Sequence, residues 1–189
     1  MQRLFTDLPA HIPAAILCVL HVGPHPSQLP DILNRHLLMR AHHAKHGELI
    51  RSGEIYVAPS DHHLLVRRSH VGLTRGPRVN WSRPAIDPLF ASAARTYGSR
   101  VIGVLLTGRL NDGTAGLYEV QRHGGITVVQ DPREAICPAM PASALKHVAV
   151  NHCLRLADMP PVLFQLCKDV AARAKEISRA TGTGGLSHA

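Results

Sequence analysis

VIGVLLTGRLNDGTAGL, residues 101–117, is the stretch on which the fold turns. From Val101 to Thr107 it is an apolar, β-branched run broken only by Gly103, too short for a free helix and suited to a strand buried on both faces. Arg109-Leu110-Asn111-Asp112-Gly113-Thr114 then reads as a loop of turn formers, and Ala115 to Arg122 as a helix. In an open α/β sheet this strand, loop and helix order brings the loop to the crevice at the carboxyl ends of the strands, where ligands bind. Two readings of Asp112 are open at this point. It can cap the helix that follows, worth about 1 kcal/mol, or it can orient a histidine supplied from elsewhere in the chain.

Working outward, 189 residues suit one domain or one domain with a tail, here residues 1–180 with a disordered Gly/Ser/Thr-rich tail over 181–189. Aromatic residues make up 4% of the chain, so the core must be built from Ala, Leu, Val and Ile, as in a parallel sheet covered by helices. The longest apolar run, Ala14 to Leu20, is strand-sized, and the first residues do not form a signal peptide. The expectation is a cytoplasmic protein with no membrane insertion. Cys18, Cys137, Cys153 and Cys167 show neither CxxC spacing nor a disulfide framework, which predicts thiols. The formal charge is +8, yet only Arg67-Arg68 are adjacent and no basic run interleaves with aromatics, so no nucleic-acid partner is expected. A diffuse positive surface suits an acidic protein partner instead.

Taken in order, Gln2 to Asp7 reads as the end of a helix, Ala14 to His21 as a central strand, and Gln28 to Met39 as a helix. His36 to His46 is polar and histidine-rich and reads as a connection. Ile55 to Val57 is a short strand, and Leu64 to Arg68 with Val71 to Thr74 forms a hairpin. Pro84 starts a helix that runs to Tyr97 and stops at Gly98. After the 101–117 unit come a strand at Ile126 to Gln130, a helical turn at Ala142 to Lys146, a last strand at Val148 to Val150 and a terminal helix over Leu156 to Ser178. Strands alternating with helices predict a doubly wound α/β fold, a mostly parallel sheet with helices on both faces and one appended hairpin.

Two strand-end loops stand out, one led by His21 and one by Asp112. Both strand ends face one crevice in such a sheet, so a His–Asp hydrogen bond is available. A lone strand-end histidine also serves as a structural hydrogen-bonding group. The pairs His42-His43 and His62-His63 invite a metal reading, but neighbouring strand residues point to opposite faces and no HExxH or Cys/His spacing accompanies them. No metal and no cofactor are expected. A nucleotide-binding reading is weak, since neither Gly108 to Gly116 nor Gly182 to Gly185 reads GxGxxG after a strand.

Five segments say more together than any one alone: LHVGPHPS (20–27), GEIYVAPSDHHLLV (53–66), GPRVNWSRPAIDPLFASAA (76–94), LLTGRLNDGTAGL (105–117) and GGITVVQDPREAICPAMPASAL (124–145). In this order and spacing the chain, from about residue 2 to 165, resembles the catalytic domain of the CheB family of chemotaxis protein-glutamate methylesterases. The resemblance implies hydrolysis of γ-glutamyl methyl esters on the cytoplasmic helices of chemoreceptors, with methanol released, and glutamine deamidation, within the signal transduction and phosphorelay of chemotaxis. It implies a Ser-His-Asp triad in which His21 is the base and Asp112 its orienter. Leu110 matches an oxyanion-hole position and retains a backbone N–H there. His63, Arg83, Asp87, Met140 and Pro141 fall in shared segments as site-lining or structural residues.

The departure lies at the other end. The family's nucleophilic serine sits on a first strand and glycine-rich elbow, and a βαβ crossover separates it from the histidine. Counting back from His21 passes Met1, so the expectation is a first strand missing, no nucleophile within residues 1–189, and no turnover by these residues alone. Ser27, Ser60, Ser82, Ser92 and Ser143 have no glycine neighbours that would expose a hydroxyl on a sharp turn. No receiver domain is expected within the chain. The alternative function is a non-catalytic receptor-binding or regulatory module.

Overall fold

Among the described residues the parallel strands come in two sets of three. The computed structural model describes residues 2–9, 11–21 and 27–182. In the first sheet β1 (Ile16–Cys18) and β2 (Arg40–His43) flank β3 (Glu54–Val57), and in the second β6 (Ile102–Leu105) and β8 (His152–Leu154) flank β7 (Ile126–Gln130). All four pairings are parallel, with Leu17 opposite Tyr56 and Val104 opposite Val128. Between them in sequence lies the antiparallel hairpin of β4 (His63–Arg67) and β5 (His70–Thr74).

Side-chain alternation sends residues of both sheets into the same two cores. On one face Ile16, Ile55, Val57, Ile102, Val104 and Val128 join a core closed by α1 (Gln2–Thr6), α2 (Leu29–Asn34) and α6 (Met159–Gly182). On the other, Leu17, Tyr56, Leu105 and Val129 join a core closed by the hairpin, α3 (Ile86–Tyr97), α4 (Thr114–Arg122) and α5 (Ala139–His147). Period-two alternation sends successive residues to opposite faces, and both sheets supply both cores. Helices on both faces of parallel strands are the doubly wound arrangement expected from the sequence.

The two sheets are separated by a seam. β1 and β6 each hydrogen-bond to one neighbour only, so their other edges are unpaired among the described residues. Central strands β3 and β7 are closed to solvent, with Ile55, Tyr56, Val57, Val128 and Val129 fully buried, whereas Ile16, Leu17, Ile102 and Val104 are only half-buried. Apolar strands of interior composition thus stand as edges, an arrangement that natural sheets ordinarily cover or blunt.

Several boundaries differ from the sequence expectation. β1 is limited to Ile16–Cys18 rather than Ala14 to His21, because β3 supplies its ladder on one side only. The segment read as a polar connection contains β2, where Ala41 is buried while the histidines flanking it in composition hide the strand signal. α2 ends at Asn34, whose side chain bonds both the amide and the carbonyl of Ala41 and turns the chain into β2. Pro84 precedes α3 by two residues instead of starting it. The last strand is His152–Leu154, not Val148 to Val150, because Val148 closes α5 by bonding Ala144 and packs in the core. α6 continues to Gly182, and the rest of the expected tail, like the Val22 to Pro26 loop, lies outside the described residues. No helix among the described residues is long and apolar enough to cross a membrane.

Candidate active site

The segments that follow β1 and β6 meet. His21 follows β1, Asp112 follows β6, and the His21 Nε2 lies 2.7 Å from the Asp112 Oδ2 across 91 residues of sequence. The Asp112 side chain is 2% exposed and that of His21 32%, so the carboxylate is enclosed while the ring meets solvent. Nε2–H donates to the carboxylate, which leaves Nδ1 as the nitrogen able to accept a proton from a neighbouring group.

Asp112 does not cap the helix that follows it; Gly113 occupies that N-cap position without a side-chain bond. It caps α3 instead. The Ile86 amide donates to Oδ2 at 2.7 Å and the Asp87 amide to Oδ1 at 3.2 Å, serving two N–H groups that α3 leaves unpaired and setting the charge at the positive end of the helix. Asn80 Nδ2 completes the set, donating at 3.1 Å to Asp112 Oδ1 and at 2.7 Å to Asp87 Oδ2. Burial pushes the Asp112 carboxyl up, but the bonds from His21, Ile86, Asn80 and Asp87 outweigh it and hold the group below the usual carboxylate value. Asp87 is pushed the other way by burial and by the charge of Asp112, against the Gly116 amide that donates to it at 2.6 Å.

The loop carrying Asp112 is fixed from below. Thr107 accepts the Cys137 amide on its hydroxyl at 2.7 Å, the Gly108 amide donates to the Cys137 carbonyl, and the Met140 amide donates to the Gly108 carbonyl. A Cβ on Gly108 would stand 2.0 Å from Met140 Sδ, so a larger residue there would require the Met140 side chain to move. Leu110 projects from the loop, 60% exposed and at a φ of +62°.

The residues carried on the resemblance therefore divide. His21 and Asp112 meet, and Leu110 lies on the same loop. Met140 and Pro141 are buried beneath it as support. His63 is buried, with Nε2 near the Pro77 carbonyl and Nδ1 accepting the Ala85 amide, so it braces the entry to α3. Arg83 holds the Gly76 carbonyl and the Asp61 carboxylate, which its guanidinium keeps below the usual range. Asn80 carried no sequence signal: its role exists only because a distant loop meets the start of α3. A groove of about 690 Å³ borders the network, lined by Asn80, Asp87, Asn111, Thr114, Tyr118 and Ser143, and does not contain the dyad.

Rival chemistries find little here. Ser27 Oγ accepts the Leu29 amide, Ser92 Oγ binds Leu89 and Val66, and Ser143 Oγ pairs with Thr114. Burial pushes the Cys18 thiol up to about 12 and the Cys167 thiol up to about 11, far from a reactive thiolate. His42 Nε2 faces Glu48 and His43 Nε2 faces the Ser27 carbonyl. No cluster of three or more His, Cys, Asp or Glu able to hold a metal occurs among the described residues.

Fold and site together define a parallel α/β protein with a histidine–carboxylate dyad at the carboxyl ends of two strands, an arrangement suited to proton transfer in acyl chemistry. Comparison with known proteins narrows this class. Residues 1–163 match the model of the CheB methylesterase family, and the chain belongs to that family. A Leptospira interrogans protein provisionally named protein-glutamate methylesterase/protein-glutamine glutaminase is 36% identical over 168 residues, covering 88% of this chain and 87% of its own. A Pyrococcus abyssi protein of that name is 30% identical over 98% of this chain, which spans half its length. The crystal structure of the Thermotoga maritima CheB methylesterase catalytic domain superposes with a TM-score of 0.81 at 29% identity, covering 87% of this chain and 90% of that one.

Proposed function

We propose that this chain is the histidine–aspartate portion of a protein-glutamate methylesterase acting on the γ-glutamyl methyl esters of chemoreceptor helices in the cytoplasm, and on glutamine amides by the same route. The observation that carries this reading is the 2.7 Å bond between His21 and Asp112 at the mouth of the seam. A parallel strand seated between β1 and β6 would pair both free edges, and the residue following it would emerge between the two side chains. A serine hydroxyl there is the nucleophile of this reading, supplied by a segment outside residues 1–189.

In the first step His21 Nδ1 takes the hydroxyl proton as the serine oxygen attacks the γ-carbonyl, and Asp112 stabilises the imidazolium through Nε2–H. The Leu110 backbone N–H is the donor this reading assigns to the oxygen that becomes negative, since the Gly108 amide is taken by the Cys137 carbonyl. Collapse returns the proton from Nδ1 to the leaving methoxide, methanol departs, and an acyl-serine remains. Water, deprotonated by the same nitrogen, releases the glutamate carboxylate. With glutamine the leaving group is ammonia.

The test is methanol release from methylated receptor membranes. The chain preceded by its strand and serine elbow is expected to turn over, and His21→Ala to lower kcat by about 10³-fold or more. Residues 1–189 alone are expected to release none. Turnover by residues 1–189 that survives His21→Ala would sink the assignment. The non-catalytic binding module draws on the charge of +8. Receptor binding without methanol release in either form would establish that alternative.

A further inference from the structure

The loops around the dyad carry a feature that their scaffolding role does not require. Val79 and Ser82 exchange both backbone hydrogen bonds across a two-residue turn with Asn80 at φ +47° and Trp81 at φ +64°, a type I′ geometry. Asparagine tolerates this region, and the two carboxylate bonds account for Asn80. Tryptophan does not, since a bulky residue in the left-handed region is an outlier and glycine is the usual second residue of such a turn. Trp81 is nonetheless 85% exposed, and among the described residues its indole stacks on no ring and no cation. Leu110 repeats the pattern on the facing loop: a large apolar side chain, 60% exposed, at φ +62°, two residues before Asp112.

The two loops meet through the Asn80–Asp112 hydrogen bond, which sets Trp81 one residue and Leu110 two residues from that contact along the chain. Strain of this kind gathers at functional sites, where a residue is held for what it contacts. Each apolar residue also has an exposed arginine close by, Arg78 before the turn and Arg109 beside Leu110, and the Arg78 guanidinium holds the Trp81 carbonyl. Aromatic and arginine side chains side by side are the composition of a protein-recognition hot spot.

We infer that Trp81 and Leu110 are specificity residues of the site, gripping the apolar side chains that flank the esterified glutamate on an acidic, amphipathic helical substrate. On such a helix the neighbours of the glutamate lie three and four residues away, about 5–6 Å between Cβ atoms, within reach of two residues that flank the Asn80–Asp112 contact. Arg78 and Arg109 answer the acidic face. This inference rests on the esterase reading, since it supplies the substrate.

Trp81 is the only tryptophan, so its emission reports the contact directly. The probe is a synthetic acidic amphipathic helical peptide with one γ-methyl glutamate and leucines three and four residues away, titrated into residues 1–189 by calorimetry and by tryptophan emission. Saturation is expected to shift emission to the blue, and Trp81→Ala and Leu110→Gly each to weaken binding about tenfold or more without lowering Tm. Replacing the peptide leucines by serine is expected to cost as much. Absence of binding overturns the inference, as does binding with unchanged emission and equal affinity for Trp81→Ala. Failure of the esterase reading shows itself separately, as no methanol released by the chain carrying its serine strand even when the peptide binds as expected.

Discussion

Asp112 gathers four donors from three parts of the chain: the His21 ring, the Asn80 amide and the first two amides of α3. Asp112→Asn turns one acceptor oxygen into a donor, so either His21 with Ile86 or Asn80 with Asp87 loses its partner. The expected cost is about 1–3 kcal/mol in urea unfolding, and where the new amide group turns its NH2 toward His21, ¹⁵N NMR should show the ring proton moved from Nε2 to Nδ1. The pH dependence follows from the lowered carboxyl. A group bound less tightly by protons in the fold than in the unfolded chain adds stability above about pH 4 and loses it as pH falls through its lowered value. The gap between wild type and Asp112→Asn should therefore shrink on acidification, as melts from about pH 7 down to pH 3 would record. Asp87 acts in the opposite sense: its raised carboxyl costs stability when ionised, and acidification through its folded value relieves that cost. His21 and Asp112 were legible as strand-end residues, and their pairing as one that a shared crevice allows; the bonds of Asp112 to Asn80, Ile86 and Asp87 were not, because contacts between distant loops leave no local trace.

Among the elements, α3 and α4 set the site's precision. They approach so closely at Gly116 that a Cβ there would lie 2.7 Å from Phe90 Cβ and 2.9 Å from the Asp87 backbone. Gly116→Ala is expected to push the helices apart at a cost of about 1–3 kcal/mol, and to loosen the Gly116 bond that holds Asp87. Thermal melts would read the stability, and loss of the His21 Nε2–H resonance would show the displacement reaching the dyad. The strand of the 101–117 unit and the helix after it were legible from composition and turn chemistry. β2 was not, since Arg40, His42 and His43 mask the one buried position, Ala41, that marks it as a strand.

For the molecule as a whole, the seam between β1 and β6 is the feature with the largest consequence. Amide hydrogen exchange should find β3 and β7 protected close to the global stability, and the seam-facing amides of β1 and β6 exchanging much faster. Equal protection across all four strands would show that the edges are covered in solution. With the serine-bearing strand present, the same amides should become as slow as those of β3. The charge of +8 and the exposed Trp81 and Leu110 are likewise properties of the assembled surface, on which an acidic helix would be tested.

The sequence alone determined the alternation of strands and helices, the apolar strands that demand cover on both faces, the family, and the two residues bracketing the crevice. These are written in local periodicity and in motifs read along the chain. Only the tertiary structure decided that Asp112 caps α3 and not its own helix, that Asn80 ties two carboxylates together, and that His63 is a brace. Hydrogen bonds between loops distant in sequence depend on how helices and strands pack, and packing is a property of the whole core.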